Sequence, residues 1–110
     1  MDKEVMKKHI INYFEETINI KSYHSNRLKN DLEETILFNN KKSCYINEND
    51  FIECMIELGF KYKTIGKQYK FNCKNRILKC EICDVKYKCE KVNIYKHQQN
   101  IKHKEFLKKL

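Results

Sequence analysis

Three stretches of the first sixty residues repeat their apolar positions at helical spacing. Met6, Ile10, Tyr13, Phe14 and Ile18 form one stripe over residues 3 to 18, with Asp2 ahead of it as an N-cap, and predict a core-facing helix. Leu28, Leu32 and Ile36 predict a second helix from Ser25 to about Leu37, which the polar run Asn39 to Ser43 ends. The third helix, about Glu48 to Leu58, is marked best: Asn47 can cap it, Asp50 stands at N3, and Ile46 can staple against Phe51. Phe51, Ile52, Met55 and Ile56 are expected to face inward, and Gly59 supplies a left-handed stop. Ser43 to Ile46 reads as a short strand before this helix.

The period then changes to two. Gly66 and Lys67 predict a two-residue hairpin turn, with Gly where a type II′ turn needs it. In that register Thr64 faces Tyr69, Tyr62 faces Phe71 and Phe60 faces Cys73, which puts the aromatics on one face and Lys61, Lys63 and Lys70 on the other. The stretch INENDFIECMIELGFKYKTIGKQYKFNCK, Ile46 to Lys74, resembles the winged-helix segment near the end of some viral and phage primase-helicases. Winged helices, however, usually place their first strand between the first two helices, not before the third.

Charge changes the picture of what the chain meets. Its net charge of +8 is divided unevenly: residues 1 to 60 carry −3, residues 61 to 73 carry +4 and residues 74 to 110 carry +7. A basic C-terminal half without a strongly apolar helix face points to a polyanion, nucleic acid before membrane, with a merely well-solvated surface as the alternative. No run of apolar residues is long enough to span a bilayer. Lys outnumbers Arg 21 to 2, with 13 Ile, 12 Asn and no Pro, a codon bias that points to an AT-rich genome such as that of a virus or protist.

Six cysteines occur without a secretory leader, so an intracellular, reducing compartment is expected, where Cys and His groups read as metal ligands. Residues 80 to 103 read CEICDVKYKCEKVNIYKHQQNIKH, a C-x2-C-x13-H-x5-H pattern. Cys80, Cys83, His97 and His103 supply the four N/S donors that one structural zinc ion takes in a tetrahedron, with the two His expected on one helical face. Leu78, Tyr87 and Ile94 sit where the small core of a ββα finger lies, with Phe106 or Leu107 able to add to it. Cys73 and Cys89 are near enough to be rival ligands but read more simply as small apolar residues, as do Cys44 and Cys54. His9 and His24 read as ordinary surface residues.

The pattern resembles Cys-Cys-His-His zinc fingers, and among them the matrin-type, double-stranded-RNA-binding subclass, whose His pair is five residues apart. HQQNIKHKEFL fits that subclass's helix end, with Asn100 where Gly is usual and expected to share its left-handed backbone. The spacer of thirteen is one longer than common, which leaves the helix start open. Counted from Ile94, the base-reading positions of a DNA-type finger fall on Glu90, Asn93 and Lys96. The subclass resemblance implies instead contact with an A-form groove by shape. Lys86, Lys88, Lys91, Lys96, Lys102 and Lys104 are candidate phosphate contacts, with a solvated face as the alternative.

The expected fold is therefore α+β: a small helical domain with a β-hairpin wing over residues 1 to 73, then a ββα zinc finger over residues 77 to 110. The expected function is zinc-dependent binding of DNA or RNA, as an accessory in replication, transcription or RNA processing. The alternative is a protein-interaction adaptor that docks through the finger and the acidic N-terminal part. Neither reading involves a small-molecule substrate, and an enzyme is not expected, since four protein ligands leave zinc no open position.

Overall fold

The computed structural model describes residues 1–20 and 24–109; residue 110, the expected end of the finger, lies outside them. Helix α1 runs Lys3–Tyr13, with the Asp2 carboxylate accepting from the Glu4 N–H and with Met6, Ile10 and Tyr13 buried. It stops five residues short of the expected end. Phe14–Glu16 form strand β1, which pairs antiparallel with β4, Cys73–Asn75. Ile18 does not join the apolar stripe and is 97% exposed. The long-range pairing overrides the helical pattern: the Arg76 N–H donates to the Tyr13 carbonyl, and Glu15 bridges Lys74 and Arg76. Phe14 stays buried, as part of a strand.

Helix α2, Ser25–Asn40, outlasts its expected end by three residues and buries Leu28, Leu32 and Ile36 together with Asp31, Thr35 and Phe38. Lys41, left-handed at φ 56°, closes it. The expected strand at residues 43 to 46 does not form; the segment is irregular, and the Ile46 N–H is taken by the Glu33 carboxylate. The strand among the first helices is β1, between α1 and α2. Helix α3, Glu48–Glu57, begins as expected, with the Asn47 side chain accepting from the Asn49 and Asp50 N–H groups. Ile46 and Phe51 are both fully buried, but Ile56 is exposed and Cys54 takes the inward place. Gly59 follows at φ 91°.

Strands β2, Tyr62–Ile65, and β3, Gln68–Phe71, pair in the expected register, Tyr62 with Phe71 and Thr64 with Tyr69. Gly66 alone has positive φ in the turn, as a type II′ turn demands. Beyond Phe71 the expected pairing fails, because Cys73 lies opposite Glu16 instead of Phe60. Asn72 makes the switch. Its backbone donates to the Lys61 carbonyl and accepts from the Thr17 N–H, while its side chain accepts from the Lys61 N–H and donates to the Thr17 carbonyl.

Strands β5, Ile77–Lys79, and β6, Lys86–Lys88, form a second hairpin with Leu78 opposite Tyr87. Helices α4, Lys91–Gln99, and α5, Ile101–Lys109, follow. The fold is α+β, and the described residues form five helices with three two-stranded antiparallel sheets. One hydrophobic cluster runs from Met6 and Ile10 through α2 and α3 to Tyr87 and Ile94. No helix of the described residues is long and apolar enough to cross a membrane.

Candidate metal centre

Cys80 and Cys83 stand on the turn between β5 and β6. The turn is tight: the Asp84 N–H reaches back to the Cys80 carbonyl, the Cys80 N–H bonds the Val85 carbonyl, and Asp84 takes φ 61° to allow it. His97 lies on the last turn of α4 and His103 on the first of α5. All four side chains are buried, and their donor atoms lie within 4.8 Å of one another.

The His spacing needs a break in the helix. Six residues at about 100° each would leave His103 about 120° around a continuous helix from His97, so the two cannot share one helical face as the sequence led us to expect. Asn100 provides the break in extended conformation, φ −64° and ψ 134°, not in the left-handed region. Its side chain then accepts from the Lys102 N–H at 2.9 Å and caps α5. The chain reverses enough to bring the two imidazoles to 4.7 Å between centroids.

The donor set fits one metal ion. Cys83 Sγ is 3.4 Å from His97 Nε2, and Cys80 Sγ is 3.7 Å from His103 Nδ1. A tetrahedral ion with metal–sulfur bonds of about 2.3 Å and metal–nitrogen bonds of about 2.0 Å separates S from N by about 3.5 Å. Burial lowers the pKa of both imidazoles, helped at His97 by the charge of His103 and at His103 by that of Lys41. Both are therefore held neutral, as ligands must be. Burial raises the Cys83 thiol, so a cation is what would hold it as thiolate.

Helix α2 supplies a wall to this centre. The Phe38 ring lies edge-on to Tyr87 at 5.1 Å and to His97 at 5.8 Å, and tilts over His103 at 5.9 Å. The Tyr87 hydroxyl donates to Asn39 at 2.9 Å, and Lys41 covers the outer side of Phe38. Nothing in the sequence tied Phe38 to the cysteines, because the tie is tertiary. Phe106 and Leu107, the optional additions to the finger core, are exposed instead.

Cys73 and Cys89 stay outside the cluster. Both are buried, and burial pushes each thiol up to about 12, which suits an inert apolar residue. Among the described residues the four-ligand group is the one cluster of three or more Cys, His or acidic side chains able to hold a metal.

The candidate contact residues divide by environment. Lys61, Lys63, Lys86, Lys91, Lys96, Lys102 and Lys104 are exposed, and Lys70 is half-buried. Lys88 is committed to Glu90 at 2.7 Å. Glu90, a candidate base reader, is only 6% exposed and also accepts from the Asn93 amide at 3.0 Å, so Glu90 and Asn93 are spent on each other. The helix start left open by the long spacer falls at Lys91, as the count from Ile94 gave.

Against protein-family models, curated proteins and solved structures, the chain finds no match.

Proposed function

We propose that this chain is a nucleic-acid-binding protein in which one structural zinc ion is held by Cys80, Cys83, His97 and His103. Two sulfurs and two nitrogens in a tetrahedral pocket are a zinc set, and a full shell leaves no position for water, so the ion organises the fold and performs no hydrolysis. The hairpin β5–β6 followed by α4 supports a finger of the Cys-Cys-His-His kind.

The observation that carries the nucleic-acid reading is the state of the lysines. Lys61, Lys63, Lys70, Lys86, Lys91, Lys96, Lys102 and Lys104 form no ion pair with any described residue, while Lys3, Lys7, Lys29 and Lys74 do. Cations left unneutralised on a folded surface are available to phosphates. The order helix, strand, helix, helix, hairpin supports likeness to a winged helix, with β2–β3 as the wing. Its third helix is a poor groove reader: α3 bears Glu48, Asp50, Glu53 and Glu57 and no base. The wing and the finger are the surfaces for a polyanion.

All six cysteines are free of disulfides, in keeping with a reducing compartment. A second reading, a protein adaptor, draws support from Val92 and Tyr95, which project from α4 with Tyr95 64% exposed. Competition between double-stranded DNA, double-stranded RNA and single strands for the zinc-loaded chain, at two salt concentrations, tests the proposal. Binding that weakens steeply with salt supports it, and absence of binding at low salt ends it in favour of the adaptor.

A further inference from the structure

Lys61, Lys63 and Lys70 line a single hollow of about 600 Å³ between the β2–β3 hairpin and the segment after β1. Its other walls are Ile18, Ile65 and the Asn72 side of the strand switch. The size is that of a small-ligand site. Two features of it favour an anionic occupant. Lys63 and Lys70 are directly opposite across the hairpin, a like-charge cross-strand pair. No acid among the described residues pairs with any of the three ammonium groups. Beside them Ile18 is 97% and Ile65 49% exposed, so apolar surface and unneutralised charge share one concavity.

We infer that this hollow takes one nucleotide of a single-stranded nucleic acid, with its phosphate among the three ammonium groups and its unpaired base against Ile18 and Ile65. The inference rests on the nucleic-acid reading above and deepens it. A duplex offers phosphates but keeps its base faces stacked inside, which would leave the isoleucines unused. A single strand offers both a charge and an apolar face per unit, and so matches both walls.

The hollow belongs to a different place from the metal centre. The hairpin meets the start of α2, where the Lys70 backbone pairs with that of His24 in an antiparallel bridge, whereas Phe38 near the other end touches the candidate metal ligands. Fourteen residues of helix separate these points by about 20 Å. Variants at the hairpin therefore leave zinc binding untouched.

The test measures binding of the zinc-loaded full chain to a single-stranded oligonucleotide, a duplex of equal length, and phosphatidylserine vesicles, across a salt series. Two variants are compared with the parent: Lys61→Gln/Lys63→Gln/Lys70→Gln, and Ile18→Ser, each first checked for unchanged melting temperature. The lysine variant is expected to bind the single strand several-fold more weakly, with a log–log salt slope shallower by about 0.7, one phosphate's share on a single strand. Ile18→Ser is expected to weaken the single strand with no change of slope and to leave the duplex as it was. Single-strand affinity unaltered in both variants, in a chain that still binds, overturns the hollow alone. Loss of vesicle binding with oligonucleotide binding kept assigns it to lipid and overturns it too. A parent chain that binds no oligonucleotide overturns both this inference and the reading beneath it.

Discussion

The Asp31 carboxylate accepts a hydrogen bond at 2.9 Å from the backbone N–H of Lys91, so that α2 caps α4 from sixty residues away. Glu90 occupies the N-cap position but makes no capping bond of its own. The same carboxylate takes the Asn75 amide at 3.1 Å, and that amide also donates to the Cys89 carbonyl. One buried side chain thus joins the helical part, strand β4 and the helix that bears His97. Asp31→Ala should cost about 1–2 kcal/mol, the worth of a cap, in denaturant unfolding.

That cost should depend on pH in a definite direction. Burial raises the Asp31 carboxyl above its ordinary range, against the opposing pull of the Lys91 N–H and the Asn75 amide. The folded chain then binds the proton at a pH where the unfolded chain does not. Stability from Asp31 is therefore fully present below the unfolded value near pH 3.9 and is lost as pH rises through the folded one. The difference in unfolding free energy between parent and Asp31→Ala should grow as pH falls from 7 toward 4. A difference that shrinks would show that hydrogen bonding outweighs burial at this site.

Phe38 makes a second link. Its ring packs on Tyr87, His97 and His103 together, so Phe38→Ala opens a cavity against the metal ligands. The expected loss is about 3 kcal/mol in stability, with metal affinity down about tenfold in chelator competition, the lower end for groups that support a ligand shell. Amide exchange after chelation should lose protection not only over residues 80 to 105 but also in the last turns of α2. Protection of α2 that is indifferent to metal would mean that the β5–β6 hairpin and α4 rest on it without support in either direction.

Asn100 separates two accounts of the His spacing. A left-handed residue there would make Gly the best occupant, as the resemblance suggested. The extended backbone and the bond to the Lys102 N–H make it an N-cap, for which Gly costs a few tenths of a kcal/mol and Ala about 1. The predicted order of stability, by thermal melting of the metal-loaded chain, is Asn, then Gly, then Ala.

What the sequence revealed was mostly local. The caps at Asp2 and Asn47, most of the buried faces of the three helices, Ile18 and Ile56 excepted, and the hairpin register as far as Phe71 follow from residues within a few positions of one another, and they are found as expected. The four Cys and His side chains of the candidate metal centre were legible for a related reason, since donor type and spacing are written in the chain. Some misses are local, such as the left-handed backbone expected at Asn100 and the single helical face expected for the two His, but the larger ones are tertiary. Phe14 fits a helical stripe equally well and is drawn into a strand only by a partner near residue 75. Glu90 has the position of a base reader, and only the folded neighbourhood of Lys88 and Asn93 shows that it is engaged. Asp31 carries no local mark of its role, because its partners Asn75 and Lys91 lie 44 and 60 residues along the chain.

The claim on which the rest depends is a single ion held by two sulfurs and two nitrogens. X-ray absorption at the zinc edge, with native mass spectrometry for stoichiometry, measures it on the purified full chain. The expected result is one zinc per chain, with two sulfur neighbours near 2.3 Å and two nitrogen neighbours near 2.0 Å, reduced to no bound zinc by Cys80→Ser/Cys83→Ser. A chain that binds no metal, that binds two, or whose shell holds three sulfurs because Cys73 or Cys89 has joined it, would contradict the account.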